Sequence, residues 1–142
     1  MKKVVIICYS LLLTFNFDAA AIETGAFSDG LEIRVRNVSD AKFNKTRITF
    51  LGQIESYGVL GPGEYSSYHK IEKAYRYASV IVLSQDKLFL AMPIDYVGEE
   101  PLEPGKYTYE LKVRLEEREI EVNGIVYHGY VDIVLKRDAG DT

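Results

Sequence analysis

Four carboxylates lie close together in the irregular segment 94–106: Asp95, Glu99, Glu100 and Glu103. Paired carboxylates can perform acid–base chemistry on a glycosidic bond, and clustered carboxylate oxygens can bind Ca²⁺. The segment lacks the D-x-D-x-D-G spacing of a calcium-binding loop. A solvated acidic loop is therefore the favoured interpretation. A carboxylate-based hydrolase that acts on an envelope or extracellular substrate is the alternative function.

The two histidines, His69 and His128, lack the spacing of a zinc site or of a nucleophilic triad. His69 follows a polar, serine-rich stretch, which is typical of a surface position on a strand. Strand parity places His128 opposite Glu119, where the two side chains would form a charge pair on the solvent side. We therefore expect no catalytic residue, no metal ligand and no cofactor.

Residues 1–21 have the layout of a secretory signal peptide. Two lysines precede an apolar run, and three alanines supply small residues before a cleavage site at Ile22. Cleavage removes Cys8, the single cysteine, so the mature chain has neither thiol chemistry nor disulfides. Export without cysteine indicates a periplasmic or extracellular location in a bacterium.

The net charge of −4 argues against a general nucleic-acid binder, because such proteins need clustered basic residues to neutralise phosphates. No stretch beyond the N-terminus approaches the ~20 apolar residues that a membrane-spanning helix needs. We expect no nucleic-acid partner and no membrane span after signal cleavage.

The elements that position these residues are strands, because apolar and polar side chains alternate with a period of two. The alternation is clearest in 31–36 and 107–115. Turn signals every ~8–12 residues imply about seven to nine short strands. We predict a flexible lead-in over 22–30, one all-β, immunoglobulin-like antiparallel β-sandwich over 31–137, and a flexible tail over 138–142. A small antiparallel β-barrel is the alternative.

Asn123-Gly124 is a strong hairpin signal, since both residues tolerate the positive φ of a type I′ turn. The turn predicts a long hairpin from about Tyr107 to Leu135. Leu115 and Ile120 have opposite parity along the first strand, so they cannot both point inward without an irregularity. We therefore expect a one-residue bulge or bend within 116–118.

Two segments, 60–65 and 102–107, share the pattern Leu-x-Pro-Gly-x-Tyr. The second resembles the turn into a late strand of immunoglobulin-like and transthyretin-like sandwiches. The whole chain is similar to small exported bacterial proteins of uncharacterised family that carry such a domain. The resemblance implies that Tyr107 or Tyr109 forms a tyrosine corner, with its hydroxyl bonded to nearby backbone. It implies no activity, because fold does not determine function.

Tyr57, Tyr65 and Tyr68 cluster in a polar stretch, and Tyr96 lies in the long irregular segment. Tyrosine offers a large contact area at a low entropic cost and is enriched in recognition surfaces. These four tyrosines are the predicted binding residues. The alternative is that tyrosine simply occupies strand positions in a chain without tryptophan.

The leading functional hypothesis is an exported, non-catalytic binding module of the bacterial envelope. Its expected partner is another envelope protein or a saccharide. Besides the hydrolase, a second alternative is a small-molecule carrier with an enclosed cavity inside a β-barrel.

Overall fold

A computed structural model describes residues 30–93, 96 and 98–138 of the chain. The predicted signal peptide, most of the lead-in, Asp95 and the residues after Asp138 lie outside the described residues. The described residues form eight strands: β1 (Leu31–Asn37), β2 (Lys45–Phe50), β3 (Gln53–Ser56), β4 (His69–Ile71), β5 (Ser79–Ser84), β6 (Lys87–Ala91), β7 (Gly105–Val122) and β8 (Ile125–Arg137). The predicted all-β class is confirmed.

The eight strands belong to one mixed sheet in the order β3-β2-β5-β6-β8-β7-β1-β4. This sheet is nearly closed and barrel-like, and an immunoglobulin-like sandwich is not confirmed. The prediction of purely antiparallel pairing is wrong for two neighbours, because β1 runs parallel to β7 and β6 runs parallel to β8. Alternation within a strand tells which face is buried, but it contains no information about the direction of the neighbour.

The core lies inside the curved sheet and is built by the alternation seen in the sequence. Along β1 the residues Leu31, Ile33 and Val35 are buried while the residues between them are half-exposed. The fully buried large hydrophobic side chains are Tyr109, Phe43, Ile33, Ile48, Leu111, Val35, Val80 and Val82. These side chains fill the interior between the strands.

Side chains join the two outermost strands, β3 and β4, at a line that we call the seam. The Gln53 amide of β3 donates from Nε2 to Lys70 O (2.8 Å), and its Oε1 accepts from Glu72 N (3.1 Å). One amide side chain thus pairs with the main chain of β4 and of the residue that follows it, in the way a neighbouring strand would. The seam covers strand edges whose free N–H and C=O groups could otherwise pair with a strand of another chain.

The strands β7 and β8 form the predicted hairpin, with Asn123 and Gly124 at φ values of 52° and 81°. The register shifts where Tyr127 pairs with Ile120 but Gly129 pairs with Leu115. The irregularity therefore inserts three residues of β7 rather than the single residue expected. Because three, like one, is an odd number, the set of β7 residues that points inward changes across the irregularity, as predicted. However, Leu115 is 63% exposed, because the hairpin extends past the core at this point.

Tyr107 makes the hydrogen bond expected of a tyrosine corner. Its hydroxyl donates to Glu103 O, four residues upstream, at 2.8 Å. The Tyr109 hydroxyl instead crosses the core and donates to Tyr75 O at 2.5 Å. Burial raises the pKa of Tyr109, so this phenol stays protonated and remains a donor.

Candidate functional site

The structure brings Tyr65 and Tyr68 together over the solvent-facing side of β1. The guanidinium Cζ of Arg34 lies 4.1 Å from the ring centroid of Tyr65 and 4.8 Å from that of Tyr68. Arg36 lies 4.9 Å from the Tyr65 centroid, and the Lys106 ammonium lies 5.0 Å from the Tyr68 centroid. We call these five residues the arginine–tyrosine surface. Cations over aromatic faces attract the ring quadrupole, so the five side chains stabilise one another's positions.

Buried and half-buried polar groups hold Arg34 in place beneath this surface. Its Nε donates to the Thr108 hydroxyl at 2.9 Å and lies 3.5 Å from a carboxylate oxygen of Asp138. The Thr108 hydroxyl in turn donates to Asp138, and so does the Tyr68 hydroxyl. Asp138, the first residue of the predicted tail, is therefore held by side chains from two other parts of the fold. Arg36 is held separately by an ion pair with Glu110 (3.6 Å).

The loop that carries Tyr65 is attached to the end of β1 by backbone and side-chain hydrogen bonds. Asn37 N donates to Glu64 O (3.0 Å) and Gly63 N donates to Asn37 O (2.7 Å). The side chain of Asn37, which is fully buried, donates to Ala41 O and Leu60 O and accepts from Ser39 N. Asn37 thus positions the Pro-Gly turn that delivers Tyr65 to the surface.

Tyr57 and Tyr96 do not join Tyr65 and Tyr68. Tyr57 is only 6% exposed, and its hydroxyl donates to Ile33 O at 3.0 Å. Tyr57 is therefore part of the core. Tyr96 instead stacks on Tyr75 (4.6 Å between ring centroids) and on Tyr77 (5.9 Å). Burial is the main cause that raises the pKa of Tyr96, and the neighbouring phenols of Tyr77 and Tyr75 raise it further.

A shallow trough lies beside this tyrosine stack. Tyr77, Met92 and the exposed ring of Tyr130 line it, together with Arg114 and Asp132. Arg114 Nε donates to Asp132 Oδ2 at 3.3 Å, and Arg114 Cζ lies 5.3 Å from the ring centroid of Tyr130. We call this feature the tyrosine trough.

Sequence reasoning missed Arg34, Arg36 and Lys106 as members of a site. The alternation of Glu32, Arg34 and Arg36 with buried residues was visible and placed both arginines on the outer face of one strand. Nothing in the sequence showed that the polar stretch at 64–68 crosses that same face. The isolated bridge between Arg36 and Tyr65 makes that contact.

A histidine–carboxylate pair lies at the seam, where His69 Nδ1 is 2.7 Å from Glu55 Oε1. The ring of His69 stacks on Tyr57 at 4.1 Å between centroids. The Tyr57 hydroxyl beside this pair is not an activated nucleophile, because it is already bonded to Ile33 O and burial raises its pKa. The arrangement supports joining of the strand edges rather than covalent catalysis.

Replacement of Glu55 by glutamine is expected to flatten the dependence of stability on acid pH. Hydrogen bonds, first from Gln53 and then from His69, hold the pKa of Glu55 below its ordinary value of 4.5. A lowered folded-state pKa contributes stability above the unfolded value, and this contribution is lost as pH falls through the folded value. Urea unfolding of both proteins on either side of pH 4.5 measures the effect, which is small because Glu55 is solvated.

Glu117→Gln is the matched control for that measurement, since Glu117 is an exposed carboxylate at a distance from the seam. This variant should show the same change of unfolding free energy across pH 4.5 as the parent protein. Equal slopes for the parent and the Glu55→Gln protein would contradict the interpretation of the seam.

The other residues considered for catalysis are dispersed at the surface. Glu103 is an exposed carboxylate 3.9 Å from Arg137, and Glu100 is exposed. His128 lies 3.5 Å from Glu119 through Nε2, so the predicted neighbours do meet. Among the described residues no group of three or more His, Cys, Asp or Glu side chains is placed to hold a metal ion. The described part of the chain also contains no helix long and apolar enough to cross a membrane.

Comparison with known proteins finds a likeness in structure but no matching family model. No protein-family model matches the chain, and no curated protein matches it either. The chain is similar to a solved NMR structure of a protein from Eubacterium rectale, with a TM-score of 0.49 and 16% sequence identity. The likeness covers 78% of this chain and 94% of that one.

Proposed function

We propose that the protein is an exported, non-catalytic binding module of the bacterial envelope, and that the arginine–tyrosine surface binds another envelope protein. The observation that carries this proposal is the position of Tyr65. Tyr65 is 47% exposed, yet the guanidinium carbons of Arg34 and Arg36 both lie within 5 Å of its ring centroid. An exposed aromatic side chain with a fixed position is unusual for a surface that has no partner.

The composition of this surface favours a protein partner over a saccharide. Tyrosine and arginine are the residue types that most often dominate binding energy at protein–protein interfaces. A side chain that is already immobilised loses less conformational entropy on binding. The guanidinium groups of Arg34 and Arg36 already contact the ring of Tyr65 and so reduce the area on which a sugar ring could stack.

Tyr65→Ala is expected to weaken binding to a protein partner by at least about tenfold, which is typical of an interface hot spot. The partner is captured by cross-linking in an envelope extract of the producing organism, purified, and titrated against each variant. Tyr130→Ala is the matched control, since it removes an exposed tyrosine in the tyrosine trough. Equal affinity of both variants for the captured protein would contradict the proposal.

A glycan array tests the alternative that the partner is a saccharide. Glycan binding that disappears in Tyr130→Ala and persists in Tyr65→Ala would assign a saccharide to the tyrosine trough instead. The exposed ring of Tyr130, the Arg114–Asp132 pair and the nearby stack with Tyr96 supply aromatic and polar groups for that case.

Export is part of the same proposal and is supported by the lysine, apolar and alanine segments of residues 1–21. The exported protein is expected to begin at Ile22 and to contain no cysteine. Intact-mass measurement of protein from the periplasm or the medium tests this. A full-length chain that stays in the cytoplasm would refute it.

We also propose that the domain is related to immunoglobulin-like or transthyretin-like domains. The hydrogen bond from the Tyr107 hydroxyl back to Glu103 O, directly after a Pro-Gly turn, supports this relationship. The two parallel strand pairs count against it. An experimental structure with two packed sheets would support the relationship, and a single closed sheet would refute it.

A further inference from the structure

The outer face of β5 is apolar, although this strand already buries its inner face in the core. Val80 and Val82 point into the core, while Ile81 and Leu83 lie on the opposite face and are only half-exposed. Leu88 of β6 pairs with Leu83 and extends the apolar area. A strand that is apolar on both faces needs a cover on each side.

The tip of the β7–β8 hairpin supplies one wall over this outer face. Tyr127 is buried there, whereas Ile125 is 47% exposed and so only partly covers its side of the groove. Between the tip and the sheet remains a groove of about 530 Å³, which we call the hairpin groove. Small-molecule sites are typically ~300–1,000 Å³ and are lined mainly by apolar groups with a few polar ones.

The charged groups of the hairpin groove are two cations that have no ion pair or hydrogen bond among the described residues. Lys45 and Arg47 of β2 lie directly opposite Leu83 and Ile81. Neither side chain forms an ion pair or hydrogen bond with any described residue, whereas Arg34, Arg36, Arg114 and Arg137 are each paired with a carboxylate. No Asp or Glu is among the described residues that line the groove.

This charge distribution is unusual for the chain as a whole. The protein has 21 acidic and 17 basic residues, yet two cations without a partner in the described part of the chain stand beside an apolar floor. An apolar ligand without charge would leave both cations unused. A small inorganic anion would leave the floor of Ile81, Leu83 and Leu88 uncovered. A ligand that has both an apolar part and a negative charge would cover the apolar floor and pair with the two cations.

We propose that the hairpin groove binds the single acyl chain of a fatty-acid carboxylate. The chain lies along Ile81, Leu83 and Leu88 under the hairpin tip, and the carboxylate pairs with Lys45 and Arg47. The ligand is a free monomer rather than a bilayer surface, because the hairpin tip walls the apolar floor on one side. This site is separate from the arginine–tyrosine surface and does not depend on the function proposed for it.

Isothermal titration calorimetry of the full exported chain with decanoate, below its micellar concentration, tests the proposal. We expect saturable binding of one decanoate per chain. The neutral analogue 1-decanol should bind at least about tenfold more weakly, because it lacks the charge that Lys45 and Arg47 recognise. Chemical-shift changes in NMR spectra should map to β5, β6 and the hairpin tip.

Two variants separate the contributions of charge and apolar contact. The double substitution Lys45→Gln and Arg47→Gln should weaken decanoate binding by about tenfold or more and leave 1-decanol binding unchanged. Leu83→Asn should weaken the binding of both compounds. Circular dichroism establishes that each variant is folded. The matched control is Lys112→Gln with Lys136→Gln, which removes the same charge from exposed positions outside the groove and should leave both affinities unchanged.

Four results would overturn the proposal. The first is the absence of saturable decanoate binding to the parent protein. The second is equal affinity for decanoate and 1-decanol, and the third is an equal loss of affinity in the control variant. The fourth is binding to anionic phospholipid vesicles with no binding of monomeric decanoate, which would identify the groove as a membrane contact.

Discussion

Gly129→Ala is expected to destabilise the protein by about 3 kcal/mol or more, or to prevent folding of the hairpin. A Cβ atom at this position would lie 2.1 Å from Arg114 O and 2.9 Å from Arg114 C. Both neighbours are backbone atoms of the paired strand, so no side-chain rotation relieves the overlap. Urea or thermal unfolding of the parent and the variant measures the loss.

Gly129 also occupies the point at which three strands meet. It pairs with Leu115 of β7 and with Phe89 of β6, directly after the three-residue irregularity. The close approach of backbone at Gly129 thus allows the hairpin to change direction. A variant that still folds is therefore expected to move the tip, which carries Ile125 and Tyr127, and to disrupt the hairpin groove.

Gly124→Ala is the control for the Gly129 prediction. Gly124 has a φ of 81°, but a Cβ there would meet no atom within 4 Å. Its replacement is expected to cost about 1 kcal/mol, which is the cost of holding alanine in the left-handed region. If Gly129→Ala were no more destabilising than Gly124→Ala, the close contact with Arg114 would be refuted.

Asn37→Ala is expected to cost about 3 kcal/mol of unfolding free energy. The side chain of Asn37 is fully buried and makes three hydrogen bonds, two as donor and one as acceptor. Alanine would leave Ala41 O and Ser39 N without this partner, whereas Leu60 O keeps the hydrogen bond that it accepts from Phe43 N. Each buried polar group left unsatisfied costs ~1–3 kcal/mol, and partial access of water reduces the sum.

The loss should extend to the arginine–tyrosine surface, because Asn37 anchors the loop that carries Tyr65. Amide hydrogen exchange is expected to accelerate at Gly63, whose N–H donates to Asn37 O. Asn44→Ala is the matched control, since the exposed Asn44 side chain accepts a single, long bond of 3.4 Å from Gln85 N. It should change stability by no more than about 0.5 kcal/mol. Similar losses for Asn37→Ala and Asn44→Ala would contradict this account.

The local elements were predictable because their signals lie within a few neighbouring residues. The alternation of Leu31, Ile33 and Val35 predicted both the strand and its buried face. Asn123-Gly124 predicted the hairpin turn. The parity conflict between Leu115 and Ile120 located the irregularity, although not its length. Parity alone does not distinguish one inserted residue from three, because both change it in the same way.

The candidate sites were less predictable, because each depends on segments that are distant in sequence. Tyr65 and Tyr68 were expected to contribute to binding, but their arginine partners come from β1 and their support from Thr108 and Asp138. Tyr57 came from the same stretch and was grouped with them, yet it faces the core.

The sequence by itself determined the strand-rich class, the turns, the inner face of most strands and the features that predict export. These properties follow from periods and motifs within short windows, where chain geometry dictates which side chains share a face. Only the tertiary structure decided that β1 and β7 run parallel, that Gln53 joins the seam, and that Lys45 and Arg47 border an apolar groove. Contacts of that kind depend on how the whole sheet curves, and curvature is set by packing between distant residues rather than by any local pattern.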